Sequence, residues 1–272
     1  MLVLNIIIFL VILVLVIMIL PVFLIYPGMY YGRWKSFGPV FSFRSLDGTE
    51  LEGVIYEPRK KGMVLKDTII LYFHGNNLNL GSRTPFFMQV IEKLGVTIVS
   101  IDYRGFGNSK GFPSESGIIK DAQSIYDHIN NDKRYTRHRK IIMGKSLGGA
   151  VAIALAQKVT SWALIVENTF LNVREVANDS YGILRKIPEG VKDFLLVDNR
   201  WDSQSRIQTI KNIPQLFLVG SSDKVIPPRH MKKLFELSLG PKKIIEYPLG
   251  RHTDLYKQDG YFEDISTFLN VL

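Results

Sequence analysis

A serine in a tight turn is the residue of this sequence best suited to act as a nucleophile. A short apolar run that follows Lys140 stops at Gly144, Ser146 follows between small residues, and an alanine-rich helical pattern starts at Gly149. This order of strand, turn and helix fits the G-x-S-x-G nucleophile elbow. Glycines flank such a serine because the backbone passes too close for a Cβ atom. The pattern predicts Ser146 as a catalytic nucleophile, with a simple glycine-rich turn as the alternative.

A serine nucleophile needs a general base, and His252 is the histidine whose position suits that role. It follows the last predicted strand, in Gly250-Arg-His252. The other histidines lie in a predicted helix, a basic loop, a helix start and an earlier loop; they are His128, His138, His230 and His74. An imidazole in this position can take the serine proton and return it to a leaving group. The alternative for His252 is a surface loop histidine.

The carboxylate that orients the base is predicted at Asp223. It follows the strand that ends at Gly220 and completes the chain order serine, acid, histidine. A carboxylate there can accept a hydrogen bond from the imidazole and stabilise the imidazolium. Asp202, in an insert between strands, and Asp254, too close to His252 to reach behind its ring easily, are the rival candidates.

Two backbone N–H groups are predicted to form an oxyanion hole, those of Leu147 and Asn76. Leu147 opens the helix after the serine, and Asn76 follows the strand that starts at Thr68. Donors at these two places can stabilise a developing negative charge. His74 is interpreted as a structural histidine of the same loop, and an Asn-rich turn is the alternative for Asn76.

Two further polar segments follow predicted strands. The segment 102–109 is interpreted as structural, with Asp102 and Arg104 fixing the loop. The segment Glu167-Asn-Thr169 is predicted to line the pocket. An apolar insert over residues 168–212 is predicted either to form a small lid or simply to pack on the sheet.

These groups must be positioned by strands that alternate with helices. Such alternation predicts an α/β class with a mostly parallel sheet, helices on both faces and an antiparallel hairpin in front, joined at Asp47-Gly48. Ligands of such sheets bind beyond the carboxyl ends of the strands, where the candidate residues lie. Strands are predicted at 41–44, 51–56, 68–73, 96–101, around 141, 163–166, 216–220 and 243–247, and helices at 86–94, 114–131, 149–157 and 261–272.

Composition narrows the classes of function. The 272 residues include no cysteine, which excludes disulfides, a thiolate nucleophile and a cysteine zinc site. The net charge is +9, in part from a basic cluster at 133–140. That cluster is interpreted as a solvated loop, with anionic lipid as an alternative partner, and nucleic acid is rejected because no stacking aromatics are spaced through it.

The N-terminal segment is almost wholly apolar from Leu2 to Tyr26. It is long enough to cross a bilayer, so residues 1–26 are predicted to be a transmembrane anchor, 27–40 a linker and 41–272 the catalytic domain. A cleaved signal peptide is the alternative, but the run is too long and lacks basic residues before it. Trp34 and its neighbours are interpreted as an interfacial aromatic belt.

The orientation of this single-pass anchor is predicted from charge. Arg33 and Lys35 follow the apolar run, which places the catalytic domain in the cytosol. The sequon Asn178-Asp-Ser180 points the other way, since it is usable only on a lumenal or outer face.

A set of short motifs is spread over about residues 40–270. They are Tyr72-Phe-His-Gly-Asn76, Asp102-Tyr-Arg-Gly105, Gly111-Phe-Pro-Ser-Glu-Ser-Gly117, Gly144-Lys-Ser-Leu-Gly-Gly149, Glu167-Asn-Thr-Phe170, Pro227-Pro228 and Gly250-Arg-His-Thr-Asp254. With these motifs the chain resembles the α/β-hydrolases, and in particular the membrane-anchored, bud-emergence-type group typified by alpha/beta-hydrolase domain-containing protein 13. Two positions depart from the group: Lys145 stands where arginine is expected, and Asn77-Leu-Asn79 replaces a smaller Ala-Gly-Asn.

The resemblance implies an α/β-hydrolase fold and a serine hydrolase with Ser146, Asp223 and His252 as its triad. The expected reaction is hydrolysis of an ester or thioester, with a lipid-derived or acylated substrate and no metal or cofactor. A serine peptidase on the same fold and a membrane scaffold without turnover are the alternatives.

Overall fold

The computed structural model describes residues 5–9, 21–34, 39–58, 65, 67–180 and 186–272. The predicted anchor over residues 1–26 includes 1–4 and 10–20, which lie outside this set. Within the described ranges, none of the helices combines the length and the apolar character that crossing a bilayer requires.

One eight-stranded sheet forms the centre of the molecule. Its strand order is β1-β2-β4-β3-β5-β6-β7-β8; β2 pairs antiparallel with β1 and with β4, and the pairs from β4 to β8 are parallel. The predicted α/β class with a mostly parallel sheet and an antiparallel hairpin is therefore confirmed. The strands are β1 (Val40–Arg44), β2 (Glu50–Tyr56), β3 (Thr68–Phe73), β4 (Thr97–Ile101), β5 (Arg139–Lys145), β6 (Ala163–Glu167), β7 (Gln215–Gly220) and β8 (Lys242–Tyr247).

Helices cover both faces of this sheet. The described residues accordingly form two separate hydrophobic clusters, one between each face and its helices. One contains the buried residues of α2 and α3, and the other those of α1 and α8. The helices are α1 (Thr84–Leu94), α2 (Glu115–Asn131), α3 (Leu147–Ala156), α4 (Val173–Ser180), α5 (Glu189–Leu195), α6 (Ser203–Ile207), α7 (Arg229–Leu237) and α8 (Tyr261–Asn270).

The central strands and α3 have apolar residues on all sides because other parts of the protein cover every side of them. Every residue of β3, β4, β6 and β7 is buried, as expected for parallel strands between two helical layers. All residues of α3 are buried as well, which accounts for its run of alanines and glycines. The predicted N-cap of α2 is confirmed: the Ser114 hydroxyl accepts a hydrogen bond from the Gly117 N–H at 3.2 Å.

The end of the apolar N-terminal run packs into this domain. Residues 21–25 are helical, a 3-10 turn follows at Pro27–Tyr30, and Val22 and Tyr26 belong to the hydrophobic cluster that contains α3. The interpretation of Trp34 as part of an interfacial belt is wrong in one respect. Its indole N–H donates to the buried Asp102 carboxylate at 2.6 Å, so its polar end faces the protein.

Candidate active site

The turn between β5 and α3 holds Ser146 in a conformation that few residues adopt. Its φ of 54° and ψ of −123° lie outside the usual regions for a residue with a side chain. A Cβ on Gly144 would lie 1.9 Å from the Gly148 carbonyl oxygen, and one on Gly148 would lie 1.9 Å from the Phe73 carbonyl oxygen. The glycines of the motif are therefore required by close backbone contacts, and the turn projects Ser146 at the carboxyl end of β5.

His252 lies in the loop after β8, and its ring reaches the serine. The distance from His252 Nε2 to Ser146 Oγ is 3.1 Å. The imidazole side chain is 15% exposed, so it remains accessible from the pocket described below. This loop thus brings together two residues that are more than a hundred positions apart in the sequence.

Asp223, in the loop after β7, lies behind the imidazole. Its Oδ2 is 2.7 Å from His252 Nδ1, and its Oδ1 accepts from the N–H groups of Val225 at 2.8 Å and Ile226 at 2.9 Å. A carboxylate accepts but does not donate, so Nδ1 carries the proton and Nε2 presents its lone pair to Ser146. That tautomer is the one a general base requires.

The two rival carboxylates have other partners. Asp202 accepts from the Ser205 N–H at 3.2 Å and caps α6, while Asp254 accepts from the Arg251 N–H at 2.7 Å. Of the three candidate acids, the structure therefore brings Asp223 to the histidine.

The two predicted oxyanion donors flank Ser146. Leu147 is the first residue of α3, and the loop that carries Asn76 passes close to the serine, since a Cβ on Gly75 would lie 3.5 Å from Ser146 Cβ. Within the described residues, the Asn76 N–H donates to no other group of the chain. Its carbonyl oxygen and its side-chain amide are both engaged, by Gly28 and Ile25 respectively.

Asn168 connects the two loops that carry the acid and the base. Its side chain donates to the Arg251 carbonyl at 3.0 Å and accepts from the Gly220 N–H at 2.8 Å. Thr169 donates to the Ser146 carbonyl at 2.7 Å. The prediction that Glu167–Thr169 line the pocket is wrong, because their side chains bond to backbone and to neighbours; only the next residue, Phe170, reaches the pocket.

A cavity of about 700 Å³ opens at Ser146 and His252. Its walls are mostly apolar and come from three parts of the chain: the loops at the ends of the strands, the insert that contains α4 and α5, and the N-terminal segment. The apolar residues are Pro21, Leu24, Ile25, Leu78, Leu147, Phe170, Val173, Val176, Ala177, Ile187, Leu195, Leu196, Val225 and Ile226. Sequence reasoning missed the N-terminal contribution, because an apolar run has the same pattern whether lipid or protein covers it.

The charged residues of this pocket are all cationic among those that the structure describes. Lys145, the departure noted in the sequence, pairs with Glu167 at 3.1 Å, and Glu167 also accepts from the Tyr261 hydroxyl at 2.6 Å. Arg174 and Lys192 both pair with Glu189 at 3.0 Å. The remaining cation, Arg83, donates to the Asn77 carbonyl and has no carboxylate within ion-pair distance in the described part of the chain.

The His74 and Asp102 pair supports the loops and faces away from solvent. Both side chains are fully buried, and burial lowers the pKa of His74 to about 3 and raises that of Asp102 to about 7. The Tyr103 hydroxyl donates to the His74 carbonyl at 2.8 Å, and Arg104 pairs with Asp121 at 2.7 Å. These contacts agree with the structural interpretation of both segments.

The model of one family, described as "Serine aminopeptidase, S33" and belonging to the hydrolases, matches residues 66–211, which is more than half of the chain. The chain belongs to the α/β-hydrolase family. The match contains the elbow, Asn76 and most of the insert, whereas Asp223 and His252 lie beyond it.

Curated relatives of this α/β-hydrolase include three eukaryotic proteins. An uncharacterized membrane protein of Saccharomyces cerevisiae is 36% identical over 68% of this chain and 66% of its own length. Protein bem46 of Schizosaccharomyces pombe is 36% identical over 74% and 66%. A lysophosphatidylserine lipase of Danio rerio is 32% identical over 75% and 58%. The chain thus spans about two thirds or less of the length of these relatives.

Among solved structures, an esterase of Pyrococcus furiosus superposes with a TM-score of 0.69 over 86% of this chain and 90% of its own. At 15% sequence identity, this similarity shows the shared fold alone.

Proposed function

We propose that this α/β-hydrolase is a serine hydrolase that cleaves a carboxylic ester or thioester through an acyl-enzyme on Ser146. The observation that carries the proposal is the unbroken path from nucleophile to acid: Ser146 Oγ to His252 Nε2 at 3.1 Å, and His252 Nδ1 to Asp223 Oδ2 at 2.7 Å.

The proposed reaction has two halves. Ser146 Oγ bonds to the acyl carbon while its proton passes to His252 Nε2, and the carbonyl oxygen takes the electron pair and becomes an oxyanion. The N–H groups of Leu147 and Asn76 stabilise this oxyanion. The intermediate then expels the alcohol or thiol, which takes the proton from His252.

Water completes the cycle. His252 removes a proton from a water molecule as it attacks the acyl-enzyme, and collapse of the second intermediate releases the acid and returns the proton to Ser146. Asp223 keeps the imidazole in one tautomer and stabilises its charged form in both halves.

The pocket indicates an amphiphilic substrate. An apolar cavity of about 700 Å³ next to the nucleophile suits an acyl chain, and Arg83 offers a cation to a negatively charged group on the same molecule. A relative named a lysophosphatidylserine lipase is consistent with such a substrate. We propose a lipid-derived or acylated ester, held with its chain in the cavity.

A location at the membrane is proposed from the sequence. Residues 21–26 pack into the domain, but the apolar run before them, residues 2–20, is still about long enough for a single span. The basic residues after the run favour a cytosolic hydrolase domain. A relative in Saccharomyces cerevisiae is named a membrane protein.

A serine peptidase is the second candidate, because the matching family model is described as a serine aminopeptidase. The ammonium group of a free amino terminus is held most strongly by charge-assisted hydrogen bonds to a carboxylate. In the described part of the chain, the charged side chains that line the pocket are lysines and arginines, and none is acidic. The charge of the pocket therefore favours an acyl ester.

Labelling by a fluorophosphonate tests the nucleophile. The full chain in detergent should react with the probe and hydrolyse p-nitrophenyl esters, and Ser146→Ala should lose labelling and lower kcat by at least about a thousandfold. Ser266→Ala, on α8 and away from the cavity, is the matched control and should behave as wild type. Labelling that survives Ser146→Ala would refute the assignment, and cleavage of aminoacyl p-nitroanilides in preference to esters would favour the peptidase.

A further inference from the structure

We infer that residues 21–28, at the end of the apolar N-terminal segment, belong to the active site and contribute to its activity. They form a wall of the acyl pocket and hold the loop that carries the oxyanion donor Asn76. This inference rests on the proposed esterase activity, and it assigns a positioning and substrate-binding role to a segment whose sequence predicts only an anchor.

Tyr26 fixes the segment to the domain. Its side chain is 0% exposed, its hydroxyl donates to Asn199 Oδ1 at 2.6 Å, and the same hydroxyl accepts from the Trp201 indole N–H at 2.9 Å. The ring also packs edge-on against Phe106. A buried tyrosine with both hydrogen-bonding roles of its hydroxyl satisfied has a single well-defined position. The residues on either side of Tyr26 are therefore held in place as well.

The segment bonds to the oxyanion loop at two points. The Gly28 N–H donates to the Asn76 carbonyl at 2.9 Å, and the Asn76 side-chain amide donates to the Ile25 carbonyl at 3.1 Å. These bonds occupy the carbonyl and the amide of Asn76 but leave its backbone N–H available. Stabilisation of an oxyanion depends on donors that are held in place before the reaction. Ile25 and Gly28 thus act as positioning residues for Asn76.

Close packing explains why residue 28 is a glycine. A Cβ at this position would lie 2.0 Å from the ring of Phe106 and 2.9 Å from the Leu78 carbonyl oxygen. Both contacts are too short for real atoms, and the carbonyl belongs to the loop that follows Asn76. Any larger side chain must push the segment away from this loop.

The same segment supplies apolar surface to the pocket. Pro21, Leu24 and Ile25 line the cavity, together with the loops and the insert. Leu24 is 65% exposed, which is high for a leucine beside an apolar cavity. A bound acyl chain would cover part of this surface and gain free energy in proportion to the apolar area removed from water. Longer chains should therefore depend more on Leu24 than shorter ones.

The first experiment replaces Leu24 by alanine in the full chain and measures kcat/KM for p-nitrophenyl esters from acetate to laurate. We expect kcat/KM for the laurate ester to fall about threefold to tenfold while the value for acetate stays within about twofold. Leu239→Ala is the matched control, since Leu239 is 61% exposed and does not line the cavity. An equal loss for both esters, or no loss for either, would overturn the role of the segment as a pocket wall.

The second experiment introduces Gly28→Ala and measures the acetate ester, which does not need the distal pocket. We expect kcat to fall about tenfold to a hundredfold with KM nearly unchanged, because a displaced Asn76 stabilises the transition state less without altering ground-state binding. Gly190→Ala is the matched control, because a Cβ there meets no atom within 4 Å. Wild-type kcat in a folded Gly28→Ala protein would overturn the positioning role.

The outcomes separate the two proposals. Absence of ester turnover by the wild-type chain would overturn the proposed function and this inference with it. Turnover by the wild type, with Leu24→Ala and Gly28→Ala indistinguishable from their controls, would overturn the inference alone. The Leu24 change is at an exposed position, so it remains informative even where Gly28→Ala fails to fold.

Discussion

Two histidine–aspartate pairs of similar geometry have very different surroundings. His252 Nδ1 lies 2.7 Å from Asp223, and His230 Nε2 lies 2.9 Å from Asp179. In the first pair the other ring nitrogen faces the hydroxyl of Ser146 at the pocket. In the second pair the other nitrogen accepts from the Leu171 N–H at 3.3 Å, and the ring is fully buried.

The difference shows what a carboxylate beside a histidine can and cannot do. Both carboxylates fix the orientation and tautomer of a ring. Of these two pairs, the one of His252 leaves a ring nitrogen next to the Ser146 hydroxyl and at the pocket. The His230 pair uses every polar atom of the ring to join α7 to α4 and to the insert, so its geometry serves packing.

The His230 pair also has a charged neighbour, the guanidinium of Arg229. Arg229 lies 2.7 Å from Asp179, so this carboxylate serves both a guanidinium and an imidazole. Burial lowers the pKa of His230, against the opposing effect of Asp179. Burial also acts to raise the pKa of Asp179, but the hydrogen bonds from Arg229 and His230 outweigh it and leave the pKa lowered. His230 is thus a neutral ring beside an ionised carboxylate.

Glutamine at each histidine gives the largest expected contrast. His252→Gln should lower kcat for an ester by about a thousandfold to ten-thousandfold, because it removes the group that takes the Ser146 proton in the proposed mechanism. His230→Gln should keep kcat within about threefold, since its ring touches no reacting atom. Ester kinetics of both variants beside wild type provide the measurement. Comparable losses of kcat in the two variants would contradict a packing role for His230.

Stability should show the opposite order. His230→Gln is expected to lower the free energy of unfolding by about 1 to 3 kcal/mol, because the variant leaves buried polar partners imperfectly satisfied. His252→Gln should have a smaller effect, since its ring borders the pocket and Asp223 retains two backbone donors. Thermal or denaturant unfolding of the full chain in detergent measures both. A larger loss for His252→Gln would contradict the assignment of the packing role to His230.

The smallest expected effect is on the pH dependence of the free energy of unfolding, which should depend on His230. Because the folded pKa of His230 is lowered, the unfolded chain binds the proton more readily, and stability should fall as the pH drops below the ordinary histidine pKa of about 6.5. One such group contributes at most about 1.4 kcal/mol per pH unit. We expect His230→Gln to flatten the dependence between about pH 7 and 5, with the share of buried His74 remaining. Unfolding curves at several pH values provide the test, and an unchanged slope would argue against a neutral buried His230.

Much of the fold was predictable because its signals are local. The hairpin follows from Asp47-Gly48, where Gly48 has a φ of 85°, and the central strands follow from short apolar runs. Boundaries differ from those predicted by only a few residues; α1, for example, begins at Thr84 and not at Phe86. The placement of Ser146, Asp223 and His252 after three of the parallel strands, β5, β7 and β8, was predictable for the same reason, since parallel strands end at one edge of a sheet.

Contacts between distant segments were not predictable in this way. Tyr26 and Trp201 are 175 positions apart in the sequence, so no local hydrophobic pattern predicts that they are in contact. The role of Asn168 in joining two loops was missed because an asparagine after a strand is equally suited to line a pocket. Trp34 was misinterpreted because an aromatic residue beside an apolar run suits a lipid interface and a protein core alike.

The amino-acid sequence by itself determined the elbow, the alternation of strands and helices, and the identity of the three candidate catalytic side chains. These depend on backbone sterics and hydrophobic patterning within a few residues. Only the tertiary structure decided which surfaces close around the serine. An apolar side chain gains the same free energy from any apolar surface that removes it from water, so its partner is fixed by the whole packed chain and not by its own neighbours.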